Sequence, residues 1–129
     1  MSKSVRGVVV AHGPMARAMV DAVRKIAGDA ADGLHPLSND GKSPVQLRAD
    51  LDQALGDGPV ILFVDLQAGS CGVAALSSCR DSARRVVVSG VNLPMLLDFV
   101  FHRELPIDEL AERAIDHGRD AICQPLVKR

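Results

Sequence analysis

The chain has no tryptophan and no tyrosine, and its only aromatic side chains are 3 phenylalanines among 129 residues. That removes most of the stacking platform on which single-stranded nucleic acid is held. An excess of charge of either sign is missing too. The 15 Lys+Arg against 16 Asp+Glu leave a formal net charge of -1, so there is no basic field to grip a phosphodiester backbone. Nucleic acid is therefore not an expected partner. Cysteine is sparse and odd in number: Cys71, Cys79 and Cys123 form no C-x-x-C and no Cys/His zinc spacing. Free thiols suit a reducing compartment. No apolar run reaches the ~18 residues of a membrane span. The segment after Met1 has no apolar core followed by a small-residue cleavage site. These absences predict a cytoplasmic protein with no bound metal and no cofactor.

What is present is aliphatic. Hydrophobic residues make up 47% of the chain, so the core is built from Val, Leu, Ile, Ala and Met. A chain of this length buries about two thirds of its extended surface, which suits one domain over residues 1–129. Residues 5–11 form a β-branched run that ends at His12-Gly13 and read as a buried strand. A helix is expected over 15–26, with Met15, Met19, Ala22, Val23 and Ile26 as its apolar stripe. Pro14 starts it and Gly28 stops it. Residues 33–37 make a weak second strand, and 38–42 a loop. Ser43-Pro44 is an N-cap with proline in the first turn, opening a helix over 45–55. Residues 60–65 are the strongest strand, Val-Ile-Leu-Phe-Val ending in Asp65. A loop over 66–70, a small-residue helix over 71–80 and a strand over 85–89 follow. Helices then start at Asn92-Leu93-Pro94 and at Pro106, the last reaching about Ile122. Residues 121–128 are a candidate extra strand.

Apolar strands alternating with helices predict a mainly parallel sheet with helices on both faces, the doubly wound α/β fold. In that fold every strand-to-helix loop emerges at one edge, and ligands bind there. The residues at that edge are Ala11-His12-Gly13, then Asp65 to Ser70, then Gly90 to Pro94. If the first and third strands are neighbours, His12 and Asp65 touch. An imidazole nucleophile needs one unprotonated nitrogen, and a carboxylate on the other nitrogen fixes tautomer and orientation. Phosphoryl transfer needs little more than such positioning and charge stabilisation. Amides at a helix start, here with Gly69 and Ser70, can cradle the phosphoryl oxygens. The same set can also serve acid–base chemistry.

In this order, strand–His12-Gly13, strand–Asp65 with Gly69-Ser70, and Gly90-Val91-Asn92-Leu93-Pro94-Met95, the sequence resembles the mannose-family EIIA component of the bacterial sugar phosphotransferase system. The resemblance runs over about residues 5–123. It implies that His12 is phosphorylated, that Asp65 orients it, and that Ser70 is the hydroxyl donor. Gly13, Gly69 and Cys71 would line the phosphoryl site, with Gly90, Asn92 and Pro94 shaping the adjacent loop. It further implies HPr as donor, an EIIB component as acceptor, and membrane association only through such partners. A homodimer exchanging a C-terminal antiparallel strand, here 121–128, is also implied. The chain departs from the family pattern at Ala11, Leu66, Ala68 and Cys71, where hydroxyl residues, Gly or Pro are common. The phosphotransferase subunit used by dihydroxyacetone kinase also has a histidine after its first strand, but residues 92–95 favour the mannose type.

Plainer readings stand beside these. His12 can be a loop histidine, Asp65 a turn residue, Ser70 a helix N-cap, and Cys71 a small buried filler. Gly90 and Pro94 can serve the turn and the helix start alone. His35, His102 and His117 read as surface or packing residues, and Arg84-Arg85 as a solvated strand edge. At the level of function, a regulatory protein phosphorylated on His12 and acting through partner binding is the alternative to a carrier. A metal-dependent receiver is disfavoured by Ala11-His12-Gly13 in place of acids, and a dinucleotide site by the lack of G-x-G-x-x-G.

Overall fold

The computed structural model describes residues 4–79 and 84–126. Four strands, β1 (Arg6–Ala11), β2 (Leu34–Ser38), β3 (Val60–Val64) and β4 (Arg85–Ser89), form one sheet. Five α-helices connect or follow them: α1 (Met15–Ala27), α2 (Pro44–Leu55), α3 (Ser70–Cys79), α4 (Leu93–Val100) and α5 (Ile107–Asp120). A 3-10 segment, Gly28–Gly33, leads from α1 into β2. The strand order is β2-β1-β3-β4 and every pairing is parallel. The expected α/β fold with helices on both faces is what the chain adopts.

The pleat explains the two layers. Alternate residues of β1 and β3 point to opposite faces. Val9, Ala11, Ile61 and Phe63 face α1, α4 and α5. Val8, Val10, Leu62 and Val64 face α2 and α3. Both strands are covered on both sides, hence their unbroken apolar sequences. Two of the three phenylalanines, Phe63 and Phe99, meet edge to face, with ring centroids 5.0 Å apart.

Local signals set the helix ends. Ser43 Oγ accepts the Gln46 amide at 3.2 Å, and Asn92 Oδ1 accepts the Met95 amide at 3.0 Å, two side-chain N-caps. Arg6 donates to the carbonyls of Ala54 and Leu55 at 2.7 and 2.9 Å, which satisfies acceptors that α2 leaves free at its C-terminus.

One expectation changes in part. Of the expected α1 stripe, Val23 is buried and Met19 packs against the core, whereas Met15 is 41% exposed and Ile26 62%. Ala16 and Val20 complete the buried line. Residues 121–126 of the candidate C-terminal strand form turns and coil in the single chain, and residues 127–128 lie outside the described residues. Arg80, the expected end of α3, lies outside them as well. Among the described residues, no helix is long and apolar enough to cross a membrane.

Candidate functional site

The sheet order reverses between β1 and β3, which start outward in opposite directions from the middle of the sheet. Val10 is in register with Val64, so the next residues of both strands leave the same edge side by side. His12 and Asp65 are those residues. His12 Nδ1 lies 2.8 Å from Asp65 Oδ2. The same oxygen accepts the His12 backbone N–H at 3.0 Å, and Oδ1 accepts the Leu66 amide at 2.9 Å.

Asp65 has a side chain only 10% exposed, against 39% for His12. Burial pushes its carboxyl up, but the hydrogen bonds from the His12 amide and ring, the His12 charge and the Leu66 amide outweigh that. The carboxyl is held below its ordinary value and is ionised at neutral pH. An ionised carboxylate only accepts, so Nδ1 carries a proton, and in the neutral ring the lone pair is on Nε2. The geometry thus presents one nucleophilic nitrogen on a fixed ring.

Gly69 explains how the ring is seated. A Cβ there would lie 2.7 Å from His12 Cε1 and 3.1 Å from Nε2, so only glycine lets the β3–α3 loop touch the imidazole. Ser70 opens α3 beside it, with its Oγ 3.5 Å from Nε2. The first amides of α3 have no intrahelical acceptors and carry the positive end of the helix dipole. Gly13 has φ of 60°, a left-handed turn that carries the chain from β1 into α1.

Cys71 is fully buried. Burial first, then the nearby Asp65 charge, push its thiol pKa up, with a Ser70 hydrogen bond opposing. The thiol therefore stays protonated. His12, Asp65 and Cys71 offer donor atoms within 4.8 Å of one another, and both Asp65 oxygens are already occupied by three N–H groups. The trio fits an oriented imidazole better than a metal ion.

The third predicted loop plays a different part. The Gly90 and Val91 amides donate to the Val64 carbonyl at 2.9 and 3.1 Å, folding the chain over the end of β3. Asn92 caps α4 and donates to the Gly118 carbonyl at 2.9 Å. Pro94 lies in the first turn of α4. Asn92 is thus directed at α4 and α5, not at the imidazole.

Sequence reasoning passed over Asn39. Its Oδ1 accepts the Gly13 amide at 3.2 Å, and its Nδ2 donates to Ser70 Oγ at 3.4 Å. Neighbouring Ser38 donates to the Gly13 carbonyl at 2.8 Å. The one signal was position: both residues sit at the carboxyl end of β2. A second missed cluster lies on α4 and α5. The Asp98 carboxylate, 3% exposed, meets Arg113 Nε at 3.1 Å and lies 3.4 Å from His102 Nδ1 and 3.5 Å from His117 Nδ1, His102 Nδ1 being closer, at 2.7 Å, to the Asp98 carbonyl.

Comparison with known proteins gives the family and the fold. Residues 7–115 match the family model described as PTS system fructose IIA component. The chain is 31% identical over 112 residues to the PTS system sorbose-specific EIIA component of Klebsiella pneumoniae, covering 84% of this chain and 82% of that protein. In fold it is similar to the mannose/sorbose-specific IIA subunit of the phosphotransferase system from Enterococcus faecalis, with a TM-score of 0.87, 22% identity and 98% of each chain covered. It is similar as well to the phosphotransferase system component EIIA from Streptococcus agalactiae, with a TM-score of 0.86, 22% identity, and 93% of this chain and 96% of that one covered. The chain belongs to the mannose-type EIIA family of phosphotransferase system components.

Proposed function

We propose that the protein is a phosphoryl carrier in which His12 Nε2 takes a phosphoryl group from the phosphohistidine of HPr and gives it to an EIIB component for sugar uptake. The observation that carries this reading is the 2.8 Å contact between His12 Nδ1 and Asp65 Oδ2, which leaves Nε2 as the open nitrogen beside Ser70. The Nε2 lone pair attacks phosphorus, the N–P bond of the donor breaks, and its electron pair returns to the donor imidazole. The proton stays on Nδ1, hydrogen-bonded to the ionised Asp65, whose charge offsets the positive charge that builds on the imidazole. Transfer to EIIB runs the same step outward. Ser70 and the first amides of α3 hold the phosphoryl oxygens. No metal or cofactor takes part in this scheme.

The setting suits protein partners. His12 is half exposed at the sheet edge, and Arg17 in the first turn of α1, Leu66 after β3 and Val73 on α3 are exposed. We place the carrier in the cytoplasm, where HPr acts, as a single domain over residues 1–129 that reaches the membrane only through its partners. The dimer implied by the family would put residues 121–128 against a second copy.

The test is intact-mass analysis after incubation with phosphoenolpyruvate, enzyme I and HPr, beside a His12→Ala control. The wild type is expected to gain one acid-labile phosphoryl group and the variant none. No gain by the wild type alongside phosphorylated HPr would overturn the reading.

A further inference from the structure

The geometry assigns Asn39 as a positioning residue of the phosphoryl site, one that turns the Ser70 hydroxyl toward His12 Nε2. The inference rests on the carrier reading above and deepens it.

The argument begins with a donor that has no choice. The Gly13 backbone N–H can only donate, so the atom of Asn39 that meets it at 3.2 Å is the carboxamide oxygen. That fixes the amide orientation and directs its NH2 group at Ser70 Oγ, 3.4 Å away. Ser70 Oγ is thereby an acceptor from Asn39. Its own proton is left for the other side, where Nε2 lies at 3.5 Å. In the neutral ring the lone pair is on Nε2, because Nδ1 holds its proton against Asp65. One polarity therefore runs from the Asn39 amide through the Ser70 hydroxyl to Nε2.

Both separations are long for direct hydrogen bonds. When Nε2 binds phosphorus its lone pair is gone, and the Ser70 O–H turns to a phosphoryl oxygen. The NH2 group of Asn39 has a second N–H for the same purpose. This supplies donors at a site where Ala11 and Leu66 carry no hydroxyl.

The placement is rigid. Ser38 donates to the Gly13 carbonyl at 2.8 Å while accepting the Asp40 amide at 3.0 Å. Ala11 is in register with Ser38. The end of β2 is therefore pinned to the end of β1 at Ser38, and the turn after Asn39 folds back on the same hydroxyl. A residue that only closed a turn would not need an amide aimed across at the start of α3.

The test is a double-mutant cycle with Asn39→Ala and Ser70→Ala, reading the rate of phosphoryl gain from phospho-HPr and the ring 15N shifts of unphosphorylated His12. Each single variant is expected to slow transfer by about tenfold, and the double variant no further than Ser70→Ala alone. The Nε2 shift should move alike in all three. A second variant, Asn39→Asp, keeps an acceptor for the Gly13 amide but has no N–H for Ser70, and it too should slow transfer by at least tenfold. Losses that add in the double variant, an Nε2 shift indifferent to Asn39, or wild-type transfer by Asn39→Asp would each overturn the assignment. The 15N readout needs no phosphorylation, so it distinguishes failure of this relay from failure of the carrier reading.

Discussion

The molecule holds two clusters of histidine and aspartate, and they differ in what is left open. Around Asp65 a single imidazole takes one carboxylate oxygen, and Nε2 faces the edge of the sheet. Around Asp98 two imidazoles and the Arg113 guanidinium converge on one buried carboxylate. Arg113 contacts both carboxylate oxygens at 3.1 Å, and its Nη2 lies 3.2 Å from His102 Nε2. The second cluster spends its groups on one another and ties α4 to α5. The first keeps a nucleophile free beside a glycine and a helix start. Residue type alone does not separate them; the surroundings of the carboxylate do.

The comparison is broken most severely at Asp65. Asp65→Ala should lower the rate of phosphoryl gain by His12 by about 10²-fold or more, because the ring loses its tautomer and its counter-charge. Rapid-quench transfer from phospho-HPr measures this. Asp98→Ala should leave that rate within about twofold while removing a buried acceptor, which destabilises by about 2 kcal/mol and lowers Tm by roughly 8 °C. Equal losses of transfer in both variants would erase the distinction.

Gly69→Ala sharpens it from the other side. A methyl 2.7 Å from Cε1 must displace the ring, and transfer should fall by about tenfold or more with Asp65 intact. Thermal melting should change by only a few degrees, since the displaced imidazole is half exposed.

The smallest effect is a pH dependence. The Asp65 carboxyl is lowered from 3.8 in the fold, so its contribution to stability is fully present above that value. It is lost as pH falls through the lower folded value. The Tm difference between wild type and Asp65→Asn should be flat from about pH 7 to 5 and shrink below about pH 4. A difference that grows on acidification would reverse the sign. The thiols give a parallel check: Cys123 is exposed and Cys71 buried, and burial raises the Cys71 thiol. Alkylation at pH 8 should mark Cys123 fast and Cys71 slowly.

Much of this was legible in the sequence. β1 and β3 announce themselves because a strand buried on both faces must be apolar throughout, and each ends at a polar residue of the binding edge. Ser43 and Asn92 signal their helices because capping is a local interaction. The apolar stripe of α1 was legible at Met19 and Val23, but hydrophobicity ranks Met15 and Ile26 above Ala16, and it is Ala16 that the fold buries. Asn39 was not legible, because its role depends on β2 lying beside β1, and β2 has only Leu34 and Leu37 buried among its apolar residues. The Asp98 cluster was half visible: His102 follows by one helical turn, but Arg113 and His117 come from a helix whose packing no local pattern declares. Ser70 was placed correctly at the start of α3, while the direction of its hydroxyl needed the neighbour across the cleft.

The central claim is that Asp65 holds the Nδ1 proton and leaves Nε2 to take the phosphoryl group. Long-range 1H–15N correlation spectra of phosphorylated, 15N-histidine-labelled protein test it most directly. The account predicts a His12 ring phosphorylated at Nε2 with its proton on Nδ1. A phosphoryl group on Nδ1, or on any other residue, would contradict it.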